Sequence, residues 1–534
     1  MKKYRTSSYT IYVKLDDKNN NYLLVHGYNG AIDQASASVV NFLQTSRVIY
    51  KNETLPFSNA TFDLLVKRGY ITDKSPLEEK KVVREMANII HRAEATRKAF
   101  LFLVAYDCNF RCPYCFENAI SQNGKGWSKK VFTKKAVDQA YEAMLELEPN
   151  RMEHANRITL YGGEPLLASN KDIVEYIVQL GSKKGYYFKA ITNGYDLGHF
   201  KDLINPSYIN NLQITVDGDR ETHDSRRTHF ETGRSYDKIV ENIAWALEAD
   251  IAITVRINTD LHNFDKLKKV REHFQKLGFF NYSKFRVYSA LIHGESEMNC
   301  NAVMARQEEP SATGKLSVQN EEEARITFDP TEQYINFEAE QATFEGTNGE
   351  SNEIVFHHDK EEIHRQKDFI HTISRSKYIS KHFDMIAHDP DMEVISCQDF
   401  GIRQKIQKAL ENRGLVEFKA TFCSAQTGMM IFDPYGDLYT CWELVGMDQH
   451  IVGNYRDGLE LYKEKLQHWY GRNISTSPAC SRCKYAFFCG GGCQAHALRE
   501  GRGYNSSYCD GYPGTFQKIT SDVYKSFMDK TAVT

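Results

Sequence analysis

Two hydrophobic periods alternate along the chain. Residues 9–15 and 21–26 put apolar side chains at nearly every second position, which predicts a β-hairpin. Helical spacing follows near 35–43 and 58–67, then a short strand at 69–72. Residues 1–75 therefore read as a small unit, and a charged helix over about 77–97 makes residues 76–98 a helical linker. From residue 99 the period changes regularly. Strands are predicted at 99–106, 157–161, 187–191, 212–216, 251–258 and 284–290, with helices between them at 133–147, 171–183, 236–248 and 264–277. Six strand-then-helix units imply an α/β fold with a parallel sheet and right-handed crossovers, curled as a partial TIM-like barrel over 99–295. Eight units would close the barrel. Six leave a side open, which suits a large substrate such as a polypeptide.

The pattern then fades. Residues 308–315 and 344–351 are polar and rich in Gly, Ser and Glu, so 300–355 reads as a mobile insertion. Helical patterns resume at 358–386 and 399–412, giving an insertion with bridging helices over 296–419. A cysteine-rich domain follows at 420–515, and a helix or tail at 516–534.

Composition narrows the function classes. The chain has 534 residues, too many for one ordinary core, and its 41% hydrophobic and 26% charged content is that of a globular protein. A formal net charge of -3 gives no electrostatic case for nucleic acid. The basic start, Met1-Lys-Lys-Tyr-Arg, lacks an apolar stretch behind it, and the apolar run at 99–106 is too short for a bilayer. A cytoplasmic protein with no membrane partner is expected. Twelve cysteines are present: three within 108–115, seven within 423–509, and Cys300 and Cys397 apart. In a reducing compartment such clusters read as metal ligands rather than disulfides.

Cys108, Cys112 and Cys115 stand at C-x3-C-x2-C spacing. Three thiolates hold three irons of a [4Fe-4S] cube and leave the fourth open, although a zinc loop or three buried thiols would share the spacing. The loop follows the first predicted strand. Gly162-Gly163-Glu164-Pro165 follows the second, Thr192-Asn193-Gly194 the third and Asp217-Gly218 the fourth. These motifs occupy the C-terminal rim of a βα barrel, where active sites lie.

Together they resemble the radical S-adenosylmethionine (SAM) enzymes. The resemblance implies that the open iron chelates SAM, that Tyr114 lies near its adenine, and that Glu164 accepts from the SAM ammonium. Gly162 and Gly163 would let the backbone approach the ligand, with Pro165 completing the motif. Thr192 and Asn193 would reach the ribose. Asp217 would bond SAM or face the substrate, and Arg256 and Asn258 would bind the SAM carboxylate or simply end a buried strand. His223 and Asp224 are expected to organise their loop. The spacing Cys423-x17-Cys441, then Cys480-x2-Cys483-x5-Cys489-x3-Cys493-x15-Cys509, is similar to the SPASM domain of radical SAM maturases, which carries two auxiliary [4Fe-4S] clusters. That similarity implies one cluster on Cys480, Cys483, Cys489 and Cys509, and another on Cys423, Cys441 and Cys493. Cys397 is the available fourth ligand for the second cluster; without it, an open iron would hold a substrate thiolate. Residues 1–75 resemble the winged-helix module that binds leader peptides in enzymes modifying ribosomal peptides.

The expected protein is thus a peptide maturase that cleaves SAM reductively and installs a thioether or other cross-link. Its partners would be a precursor peptide with a leader segment and a reductant such as flavodoxin or ferredoxin. A sulfatase-maturase-like oxidase forming formylglycine, a non-catalytic iron–sulfur carrier and a SAM enzyme for a small molecule are the alternatives.

Overall fold

The computed structural model describes residues 2–15, 21–46, 48–51, 55–115, 128–292, 373–398 and 401–533. The expected insertion at 300–355, with Cys300, lies outside them, as does most of the helical pattern before residue 373.

The first unit is larger in strands than its pattern suggests. β1 (Arg5–Thr6) pairs antiparallel with a later strand. β2 (Thr10–Lys14) and β3 (Tyr22–His26) form the expected hairpin, and β4 (Ile32–Ala35) adds a third antiparallel strand. Helix Ala37–Thr45 begins where Ser36 accepts from Val39 N, and helix Asn59–Lys67 where Ser58 accepts from Thr61 N. β5 (Ile71–Thr72) closes back onto β1. Leu24, Val40, Leu43, Ile49, Phe62 and Tyr70 make its own small core.

Helix Pro76–Ala95 opens on a capping box between Ser75 and Glu78. It is more than a spacer. The carboxylate of Glu79, fully buried, takes Arg5 Nη2 and Ser7 Oγ at 2.5 Å each and Tyr28 OH at 3.2 Å. Further along, His91 Nε2 lies 3.0 Å from Gln426 O, and Glu94 Oε2 accepts from Thr421 Oγ1 at 2.9 Å. The helix is a strut between the first unit and the cysteine-rich domain. Those two also touch directly: Tyr9 OH donates to Ser481 O at 3.0 Å and Lys484 Nζ to Thr10 O at 3.3 Å.

All six barrel strands form. They are β6 (Ala99–Ala105), β7 (Arg157–Gly162), β8 (Tyr187–Thr192), β9 (Ile209–Thr215), β10 (Ala252–Thr259) and β11 (Phe285–Leu291). β9 begins three residues before its expected start at 212. All six run parallel, and their buried faces join the main core with helices such as Lys134–Leu147 and Lys171–Lys183. The six-strand count needs correcting. β12 (Ile395–Cys397) adds in parallel to β11, and β13 (Met429–Phe432) in parallel to β6. Strands of three and four residues have too little sequence to display a period. β14 (Asp437–Tyr439), β15 (Gly453–Asn454) and β16 (Glu460–Leu461) continue antiparallel, giving the order β12-β11-β10-β9-β8-β7-β6-β13-β14-β15-β16. Helix Tyr512–Val533 packs beside Ile402–Glu411, with Arg403 Nη2 2.8 Å from Asp522. No described helix is long and apolar enough to cross a membrane.

Candidate active site

The C-terminal ends of β6 to β11 face the cysteine-rich domain across a cavity of about 260 Å³. Cys108, Cys112, Tyr114 and Cys115 line one side of it, with Gly162, Gly163, Thr192, Asn193, Arg256 and Asn258. The other side is Glu443, His496, Arg499, Glu500 and Tyr508, from the cysteine-rich domain.

The loop after β6 is held in place by its backbone. Arg111 N donates to Thr228 O and Phe230 N to Asn109 O, both at 2.9 Å, while Cys115 N returns to Cys112 O at 3.1 Å. Phe110 N lies 3.4 Å and Asn193 Nδ2 3.9 Å from Cys108 Sγ, so N–H groups point at the sulfur. Burial pushes the Cys108 and Cys112 thiols up, while the Arg227 guanidinium pulls both down. Buried thiols beside N–H donors and a cation suit anionic sulfur on an iron–sulfur cluster. Among the described residues, no three His, Cys, Asp or Glu side chains are grouped to hold a single metal ion.

Gly162 is bound to its position by the strands beneath the cavity. Its φ is 141°, and a Cβ there would overlap Ala105 O; one on Gly163 would overlap Tyr106 O and Asp107 O. Close approach of β7 to the end of β6 therefore demands both glycines, as well as any approach to a ligand.

Glu164 sits behind this wall, 1% exposed. Its Oε1 accepts from Leu166 N at 2.8 Å and Thr192 Oγ1 at 2.7 Å, and its Oε2 from Asn193 N at 2.6 Å. Burial, the dominant influence, raises its pKa to about 7 against the pull of those donors. Pro165 is buried beside it. Glu164 thus fixes Thr192 and Asn193, which do line the cavity. Asn193 Nδ2 in turn donates to Asn109 Oδ1 at 2.7 Å.

Asp217 is fully buried. Its Oδ2 bonds Tyr114 OH and its Oδ1 accepts from Asn258 N at 3.0 Å. His223 Nδ1 accepts from Asp217 N at 3.2 Å, and Asp224 Oδ1 accepts from Ser235 N and Tyr236 N at 2.8 and 2.9 Å, so both hold the loop. Two arginines to which the sequence assigns no role complete the network. Arg226 lies 3.1 Å from Asp260 and 3.7 Å from Asp217, and Arg227 Nη1 donates to Tyr114 OH at 2.8 Å. Their only sequence signal was position, at the end of the stretch containing His223. Arg256 lines the cavity from within β10, and its buried Nε has no hydrogen-bond partner among the described residues. Asn258 Nδ2 reaches Tyr114 OH at 3.3 Å. A buried, unpartnered guanidinium N–H on the cavity wall fits a carboxylate-bearing ligand such as SAM.

The family comparison falls on this same region: residues 102–277 match the radical SAM superfamily model. Residues 102–277 form a radical SAM domain. Curated relatives align over its length at similar identity. A protein named as a glycyl-radical enzyme activating enzyme in Methanocaldococcus jannaschii is 27% identical over 177 residues, 31% of this chain and 60% of that one. A cysteine-type anaerobic sulfatase-maturating enzyme of Clostridium novyi is 27% identical over 32% of this chain and 46% of its own. The radical SAM cyclopropyl synthase TigE of Paramaledivibacter caminithermalis is also 27% identical, over 32% and 39%. The match thus spans about 39–60% of the length of these relatives. Among solved structures, native anSMEcpe with bound AdoMet gives a TM-score of 0.49 at 16% identity, covering 81% of this chain and 99% of that one. Streptococcus suis SuiB bound to precursor peptide SuiA gives 0.41 at 11%, covering 95% and 99%.

Beyond the radical SAM domain, the other cysteines fall into two groups. The thiols of Cys423 and Cys493 both add to the upward push on buried Cys441. Separately, Cys509 and Cys480 act on Cys483 and on Cys489. Cys397 ends β12 opposite Ser289, near Tyr378, at the far edge of the sheet order from β13.

Proposed function

We propose that this chain is a radical SAM maturase acting on a polypeptide, with a SPASM-type C-terminal domain. One observation carries the reading: a single cavity has the Cys108, Cys112 and Cys115 loop on one side and the cysteine-rich domain on the other. Cys108, Cys112 and Cys115 would hold the first [4Fe-4S] cluster, and Arg256 and Asn193 would orient SAM against it. When bound, that cluster supplies the electron that cleaves SAM to a 5′-deoxyadenosyl radical. The chain's own part is to position and to exclude water. Asp217, Asn258 and Arg227 fix the ring of Tyr114 beside the cavity, and Glu164 fixes the backbone of Asn193 and the hydroxyl of Thr192.

Cys480, Cys483, Cys489 and Cys509 would hold one auxiliary cluster and Cys423, Cys441 and Cys493 another, as their grouping supports. If Cys397, at the end of β12, does not join the second set, that cluster would keep an open iron suited to thioether formation on a peptide. Residues 1–75 would take the leader segment by strand addition to the β2–β3–β4 sheet, and flavodoxin or ferredoxin would be the reductant. The relatives named as sulfatase-maturating enzymes support a second reading, oxidation of a protein side chain to formylglycine.

Anaerobic reconstitution tests the first point: about twelve irons are expected from three four-iron cubes, and about four would defeat the SPASM assignment. Release of 5′-deoxyadenosine under reduction, abolished by Cys112→Ala, tests the second. Mass spectrometry of a co-expressed precursor peptide then separates the readings. Loss of two hydrogens with a new cross-link supports peptide maturation, and formylglycine in a sulfatase client supports the alternative.

A further inference from the structure

The two C-terminal cysteine groups are joined by a very short bridge. Cys489 belongs to one and Cys493 to the other, and Gly490, Gly491 and Gly492 between them are all left-handed, at φ 74°, 87° and 76°. No Cβ fits on Gly490, which lies against Thr421 O, or on Gly492, which lies against Tyr508 O. The bridge is thus tightly constrained.

Arg472 reaches into it while almost wholly buried, at 1% exposure. Its Nη2 donates to Gly491 O at 3.1 Å and Ser506 O at 2.8 Å, and its Nη1 to Gly492 O at 3.4 Å. A methyl group placed on Gly491 would stand 3.5 Å from Arg472 Nη2 and 3.6 Å from Cys480 Sγ. Guanidinium and sulfur therefore border the same small space. The described partners of Arg472 are carbonyls, and its Nε has none. A buried guanidinium with no carboxylate is costly unless another anion offsets its charge. The groups that favour its charged form are Cys480 and Cys489 from one set and Cys423 and Cys493 from the other.

We propose that Arg472 is the shared counter-charge of both auxiliary clusters and raises their reduction potentials together. This rests on the two-cluster reading above. A fixed cation in a low-dielectric interior stabilises the reduced, more negative cluster. Arg472 is a positioning and tuning residue that does not line the cavity.

The test is a potentiometric titration, followed by electron paramagnetic resonance, of the reconstituted holoenzyme and its Arg472→Gln and Arg472→Lys variants. The cluster on Cys108, Cys112 and Cys115 serves as internal reference. In Arg472→Gln, both auxiliary midpoints are expected to fall by at least tenfold in the reduction equilibrium, about 59 mV for one electron. Arg472→Lys should keep most of the potential. Iron loss in the glutamine variant alone also supports the role of charge. Unchanged midpoints at full iron load, a shift of one auxiliary cluster alone, or equal iron loss in both variants would overturn it. A wild-type protein that loads about four irons instead removes the two-cluster reading, and this inference with it.

Discussion

Glu164 offers a sharp test, because its burial leaves a pH signature that its hydrogen bonds do not. Its ordinary pKa of 4.5 is raised to about 7 in the folded protein, chiefly by desolvation. The folded state therefore keeps a proton that the unfolded chain releases above about pH 4.5. The associated stability is fully present below that value and is lost as pH rises through 7. A shift of about 2.5 units at 1.36 kcal/mol each amounts to roughly 3 kcal/mol across this window. Glu164→Gln cannot titrate. It also pays a separate, pH-independent cost: one oxygen becomes an NH2 group facing the Asn193 N–H or the Leu166 and Thr192 donors, an unsatisfied pairing worth about 1–3 kcal/mol. The informative quantity is thus the slope and not the offset. Urea unfolding of the cluster-free protein at pH 5 and pH 8, under strict reduction, should show the wild type losing about 2.5 kcal/mol more than the variant, since part of the window lies below pH 5. Buried Asp433, also raised to about 7, is common to both proteins and cancels in the difference. Parallel pH profiles for the two would refute the assignment of a buried, high-pKa carboxyl at this position.

Three further outcomes are expected. Gly162→Ala should lower stability by about 2–4 kcal/mol, from its positive φ and its overlap with Ala105 O; Gly198→Ala, with nothing within 4 Å, should leave the melting midpoint unchanged. Arg226→Met leaves buried Asp217 and Asp260 without their cation and should cost about 3–5 kcal/mol by denaturant titration, with Tyr114 loosened. Glu79→Ala removes the buried partner of Arg5, Ser7 and Tyr28, so hydrogen exchange should accelerate in β1 and β2 while the barrel strands keep their protection.

The barrel was legible because its strands are either apolar runs, as in β6, or place a buried apolar residue at every second position, as in β8 and β10, and amphipathic helices such as Lys171–Lys183 and Tyr236–Glu248 lie between them. β12 and β13 were not: three or four residues cannot declare a period, and the partners that make them strands lie more than a hundred residues away in sequence. The rim motifs were legible as positions but less so as contacts. The motif gives Glu164 an expected role toward a bound ammonium, but not its three hydrogen bonds to Leu166, Thr192 and Asn193. Arg226 and Arg227 escaped notice because nothing local marks an arginine whose acidic or phenolic partners come from β9, β10 and the Cys108–Cys115 loop. The place of Arg472 could not be read from the sequence, since its partners are backbone carbonyls.

β13 pairs with β6 although about 330 residues separate them, and the first unit rests on Ser481 and Lys484 near the other end of the chain. A ribosome making this protein would release β6 long before its neighbour exists. The flank of the barrel beside the cavity must then wait, with an apolar strand edge uncovered, until residues 429–484 emerge. Iron delivery to the first cysteine loop would accordingly meet a half-built pocket during synthesis and a walled one only after it. Chains truncated or stalled before residue 429 should be the aggregation-prone species, because the strand that covers β6 is then missing.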